Sequence, residues 1–171
     1  RFKVLFDPNI DPLGLDERYQ AFRSQLSLNG GGLLGQGLLN GNRTQTGALP
    51  SQHTDFIFSA IGEEMGYIGC AIALILLLAI VFRIIQVGKR SQNYLRRMVC
   101  FGAAAAMIFQ VCINVGMCVG LVPVIGLTLP LFSYGGSSVL ATLMMLSLVQ
   151  SLYQEHRTLL EENEEYDDDD E

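Results

Sequence analysis

Charge is scarce in this chain and histidine scarcer: 16% of the 171 residues are charged and two are His. Cys70, Cys100, Cys112 and Cys118 all sit inside apolar runs with no CxxC pair, so they read as small core hydrophobes and not as a disulfide or thiolate–metal framework. Outside the acidic C-terminal run, clustered carboxylates are also missing. No metal site is visible and no cofactor is evident, although the sequence leaves a divalent-cation requirement open. No GK[ST] triplet is present, which removes the nucleotide-binding P-loop. Gly30, Gly32 and Gly35 fit GxGxxG, but without the preceding strand and βαβ unit that a dinucleotide site needs. A turn that lets backbone approach something closely is the sounder reading of these glycines. There is no nucleophile elbow, and no basic, aromatic-interleaved surface for nucleic acid. The opening "RFKVLFDP" lacks both an initiator Met and the charged-then-apolar form of a signal peptide. The expectation is a C-terminal part of a longer protein.

Apolar residues are abundant instead, at half of the chain. The net charge of −6 is uneven. Beyond Tyr153 lie ten acidic side chains against Arg157, while the rest holds ten Lys/Arg against seven Asp/Glu. The acidic tail, 155–171, is too charged to pack and is expected to be a disordered segment. Met65 to Phe82 is uncharged and as a helix would extend roughly 27 Å, close to the ~30 Å of a bilayer core. Met98 to Val122 and Ser137 to Tyr153 are also uncharged. The fold class is therefore all-α and polytopic, with transmembrane helices near 64–87, 98–122 and 137–154 within a 64–154 membrane region. Arg83, Lys89, Arg90, Arg96 and Arg97 lie between the first two spans with no acid among them. The positive-inside rule puts 83–97 and the tail in the cytoplasm, and 1–63 and 123–136 outside.

The outer segment 1–63 opens with turn chemistry at Pro8 and Pro12. Glu17 to Leu28 suits a short amphipathic helix with Tyr19, Phe22 and Leu26 on one side. Further on, "LPSQHTDFIFSAIGEEMG" carries acids to the edge of the membrane. Two accounts fit Asp55. It can be a first-turn residue of a helix capped by Thr54, or a carboxylate at the boundary placed to take a proton from a bound substrate. Glu63 and Glu64 read as interface markers or partners of a base. Gln110 and Asn114 share a helix face, and Gly116 and Gly120 form GxxxG; both favour close helix packing in lipid. The uncharged "VPVIGLTLPLFSYGGSS" is rich in Pro, Gly and hydroxyls. Such backbone at membrane depth suggests a re-entrant loop, 123–136, that lines a site.

"RFKVLFDPNIDPLG", "GGGLLGQGL", "LPSQHTDFIFSAIGEEMGYIG" and "NVGMCVGLVPVIGLTLPLFSYGGSS" are similar, in order and spacing, to the C-terminal half of the RodA/FtsW/SpoVE (SEDS) proteins, from Arg1 to about Tyr153. The resemblance implies the last three of ten transmembrane helices and the large extracytoplasmic loop before them. It also implies a multi-pass protein of the bacterial cytoplasmic membrane that polymerises lipid II into glycan strands and releases undecaprenyl diphosphate. A class B penicillin-binding protein, and other membrane proteins of cell-wall elongation or division, would be its partners. The family's essential aspartate falls on Asp55, as general base. Candidate substrate contacts at motif positions are Arg1, Gln20, Ser24, His53, Thr54, Ser133, Tyr134, Gly135, Gly136 and Ser137. Pro50, Glu63, Glu64, Asn114, Pro123, Gly126 and Pro130 are candidate structural positions. Arg1, Lys3, Arg18 and Arg23 are basic groups that could face the diphosphate or simply water. A lipid II transporter and a non-catalytic scaffold for a penicillin-binding protein are the rival functions.

Overall fold

The computed structural model describes the backbone of residues 17–45, 54–91 and 93–169. Described elements are all helical: α1 (Glu17–Gly31), α2 (Asn42–Gln45), α3 (Ile57–Arg90), α4 (Tyr94–Cys118) and α5 (Gly136–Asp169). Three of them, α3, α4 and α5 over Gly136–Gln154, are long and apolar enough to cross a membrane. Their outward faces carry Ile72, Ile75, Leu78, Phe82 and Phe109, all at least half exposed, as lipid-facing helices do.

α3 and α4 pack against each other as an antiparallel pair. The seam on α3 runs through Ala73, Leu77, Val81, Ile84 and Gly88, and on α4 through Cys100, Ala103, Ala104, Met107 and Val111, all buried. Steps of three and four keep these positions on one face. Small residues bring the axes close: a Cβ at Gly88 would stand 2.9 Å from that of Cys100. Asn93 caps α4 by accepting the Leu95 N–H at 3.0 Å. Lys89 and Arg90 occupy the last turn of α3, where cations suit the carbonyl end.

Helix ends differ from the expected spans. α3 starts at Ile57, well before 64, and contains a break at Gly66 (φ 70°, ψ −171°). The glycine-rich segment after α1 is spliced into that break. Gln36 and Gly37 N–H groups donate to the Glu63 and Glu64 carbonyls at 2.9 and 3.0 Å, while Tyr67 and Ile68 N–H groups donate to the Gly32 and Leu33 carbonyls at 3.0 and 3.3 Å. The loop thus bonds backbone groups on both sides of the interruption. α4 ends at Cys118, not 122. Leu121 N–H donates to Gly116 O and Gly120 N–H to Met117 O, with Gly120 at φ 77°: a Schellman stop with glycine in the left-handed position. The GxxxG reading is corrected accordingly, because Gly120 ends the helix and does not line its face. α5 continues helical to Asp169, where a disordered tail was expected. Leu and Glu are good helix formers, and an extension of an existing helix needs no new nucleus.

The expected apolar face of α1 is covered only in part, Leu26 being half-buried. Phe22 is 57% exposed, while Ser24, Ser27, Leu28 and Gly31 are buried. They pack on α3 at Ser59, Gly62 and Glu63, so closely that a methyl at Gly31 would overlap the Gly62 carbonyl.

Candidate functional site

Asp55 lies in the turn just before α3 and is half-buried. The helix begins two residues later than a Thr54 cap would have it. Phe56 is the N-cap residue and makes no side-chain cap bond; it is anchored by complete burial. The expectation that Thr54 caps and Asp55 sits in the first turn is corrected, because both carbonyls are taken by side chains from elsewhere.

One of these is Asn114, fully buried on α4, whose Nδ2 donates to Asp55 O at 2.9 Å and to Leu127 O at 2.6 Å. Its Oδ1 is buried and has no hydrogen-bond partner among the described residues. The other is Ser133, whose Oγ donates to Thr54 O at 2.7 Å and accepts the Leu129 N–H at 2.7 Å. These contacts bring the α4–α5 connection against Asp55. Gly126 is one part of that wall: a Cβ there would stand 3.6 Å from Asp55 Oδ2. Asn114 holds the Asp55 main chain, and the carboxylate faces the loop.

α1 is tied to the same region. Ser24 Oγ donates to Cys118 O at 2.9 Å, which uses its one proton, so Ser59 is the donor in the Ser24–Ser59 bond. Gln25 Nε2 donates to Val119 O at 2.7 Å. Two terminal carbonyls of α4 are thereby capped from α1.

The expected substrate contacts divide. Arg1 and His53, with Pro50, lie outside the described residues. Ser24 is fully buried with its hydroxyl bonded within the protein. Ser133, 4% exposed, likewise turns inward. Gln20 is half-buried on α1, one turn before Ser24. Tyr134, 84% exposed, with Gly136 and Ser137, stands at the open start of α5, and Gly135 O accepts the Val139 N–H there. Ser138, which the sequence reading left out of the site, bonds to Thr128 at 2.6 Å and fastens the loop to α5. Pro123 and Pro130 are buried in the loop. Glu63 is 1% exposed and accepts from Thr44 Oγ1 at 3.0 Å, while Glu64 is half-buried and offers its carbonyl to Gly37. Both serve the splice at Gly66.

A cavity of about 710 Å³ opens between α3, α5 and the loop at Leu131 and Phe132. Its lining is mainly aliphatic and includes neither Asp55 nor its neighbours, so it is separate from the carboxylate. No group of His, Cys, Asp and Glu among the described residues could hold a metal ion.

Comparison with known proteins adds the remaining findings. The chain matches the FtsW/RodA/SpoVE family model, described as "Cell cycle protein", over residues 1–158. It is 37% identical over 160 residues to "Peptidoglycan glycosyltransferase MrdB" of Escherichia coli, covering 94% of this chain and 42% of that protein. It is 42% identical over 155 residues to "Probable peptidoglycan glycosyltransferase FtsW" of Buchnera aphidicola, covering 87% and 42%. A solved structure, "Structural coordination of polymerization and crosslinking by a peptidoglycan synthase complex", is similar with TM-score 0.72 and 35% identity over 91% of this chain and 41% of the other. The chain spans about 42% of the length of these curated relatives.

Proposed function

The chain belongs to the FtsW/RodA/SpoVE family and is part of a multi-pass membrane protein, and from that premise we propose that the protein is a peptidoglycan glycosyltransferase that polymerises lipid II with Asp55 as general base. The observation that carries this reading is the half-buried Asp55 carboxylate at the start of a membrane-length helix, beside a loop wall that begins at Gly126. Relatives named peptidoglycan glycosyltransferases support the reaction class. The site faces outward and residues 83–97 face the cytoplasm, on the basic excess of that turn.

In the reaction, an acceptor sugar hydroxyl attacks the anomeric carbon of a donor strand. The new C–O bond forms as the bond to undecaprenyl diphosphate breaks, and Asp55 takes the hydroxyl proton. A positioned base supplies about 10²–10⁴-fold, so orientation of the two sugars and stabilisation of the leaving diphosphate carry the rest. A penicillin-binding transpeptidase is the partner that would cross-link the product; the similar solved structure, described as a peptidoglycan synthase complex, supports it.

Asp55→Asn in the full-length protein tests the reading, since it removes the charge at almost constant shape. The variant should insert, accumulate and bind its transpeptidase, yet make almost no glycan polymer from lipid II. Polymerisation within a few-fold of the parent would sink the catalytic assignment and bring the scaffold reading forward. Lipid II translocation without polymerisation by the parent protein would favour the transporter.

A further inference from the structure

Consecutive carbonyls at Thr54 and Asp55 are each taken by a side chain from another element, Ser133 and Asn114. In a helix that began earlier, the Asp55 carbonyl would accept from Ser59 N–H. That N–H goes instead to Phe56 O at 3.0 Å, and Ala60 N–H goes to the same carbonyl at 3.2 Å. The two side chains therefore replace the first rungs of a longer helix.

Each also ties its carbonyl to the loop. Ser133 accepts from Leu129 N–H, and Asn114 donates to Leu127 O. A hydroxyl has one proton and a primary amide two, so every donor on this pair is committed to main chain. With Asn114 fully buried and Ser133 nearly so, neither has a donor to offer a substrate.

We infer that Asn114 and Ser133 are positioning residues for Asp55: together they stop α3 short of it and lock its turn to the loop, so that its carboxylate stays aimed at the wall begun by Gly126. Extending α3 through Asp55 would swing that side chain by about 100° per residue added and carry it off the wall. The role rests on Asp55 acting as the base, but the geometry it describes is measurable without activity.

Ser133→Ala in the full-length protein, assayed with lipid II, should lower kcat about 10- to 100-fold, the range expected for a misplaced catalytic group. KM should stay within two-fold. Ser133→Thr, which keeps the hydroxyl, should recover most of the rate, and Asn114→Ala should resemble Ser133→Ala. Hydrogen exchange should quicken in the segment 54–60 of both Ala variants while 67–90 keeps its protection. If Ser133→Ala does not accumulate, Ser133→Cys, close in volume and a weaker donor, takes its place.

Full kcat in both Ala variants would overturn the inference. So would a loss confined to KM, which would make Ser133 a substrate contact, or unchanged exchange at 54–60. Failure of the base itself is distinguishable: Asp55→Asn would then remain active, whatever the exchange result in the Ser133 and Asn114 variants.

Discussion

Gly66→Ala tests how the glycine-rich segment after α1 is joined to the membrane helices. Gly66 has φ 70° and ψ −171°, a region open essentially to glycine alone, where another residue costs about 1–3 kcal/mol. Space makes it worse. A Cβ there would overlap Gly35 N and Leu33 O, both backbone, so the loop must retreat. Retreat strains the four splice bonds, from Gln36 and Gly37 to Glu63 and Glu64 and from Tyr67 and Ile68 to Gly32 and Leu33. At a net ~0.5–1.5 kcal/mol for each bond, losing two of them adds about 1–3 kcal/mol. The expected total is about 2–6 kcal/mol. Gly32→Ala is the control. Gly32 also has a positive φ, 56°, but a Cβ there meets nothing within 4 Å, so only the left-handed penalty of about 1–2 kcal/mol applies. Thermal unfolding of the full-length protein in detergent, with hydrogen exchange across 31–40, reads both changes. Gly66→Ala should unfold well below Gly32→Ala and should lose protection in the loop. Equal losses in the two variants, or a protected loop in Gly66→Ala, would refute the splice.

Two further outcomes follow from helix ends. Gly120→Ala should cost about 1–2 kcal/mol from its left-handed φ, and should also free Gln25 from Val119, because the new methyl would overlap the Gln25 amide; a thermal unfolding midpoint equal to the parent's would count against the Schellman stop. Sidedness is best read at Tyr94, which is 71% exposed, and not at Ser91, which is 6% exposed. With the exposed thiol of Cys112 replaced by Ser, Tyr94→Cys should be labelled by a membrane-impermeant maleimide only after the cytoplasmic face is opened, and labelling of intact cells would invert the topology.

The membrane helices were legible because an uncharged run of spanning length has few other uses. Their ends were not. The break at Gly66 is held by backbone groups of residues 32–37, and backbone groups leave no mark in a sequence. Thr54 looked like a cap because a hydroxyl before an apolar run commonly is one, yet the groups that settle this turn come from 59 and 79 residues away. For Gly120 the signal was present: Gly followed closely by Pro123 is stop chemistry, and the GxxxG spacing drew attention from it. On α1, placing Phe22 and Leu26 on one face assumed that apolar groups mark the packed side. Next to a membrane that assumption weakens, since lipid also accepts apolar surface, and small residues such as Ser24, Ser27 and Gly31 mark the close contact instead.

Asn114 and Ser133 also show why an acid can be aimed so firmly here. Irregular backbone near lipid is tolerated only when its polar groups find partners inside the protein. The Thr54, Asp55 and Leu127 carbonyls and the Leu129 N–H all find theirs in these two side chains. The bonds that make the loop and the turn tolerable are therefore the ones that set the direction of Asp55. An apolar replacement at either position would leave buried carbonyls unpaired, at about 1–3 kcal/mol for each, and would loosen the carboxylate in the same step. Stability and rate should consequently fall together at these two positions. At Asp55 itself, where the hydrogen bond from Asn114 takes the backbone carbonyl and not the carboxylate, rate should fall alone.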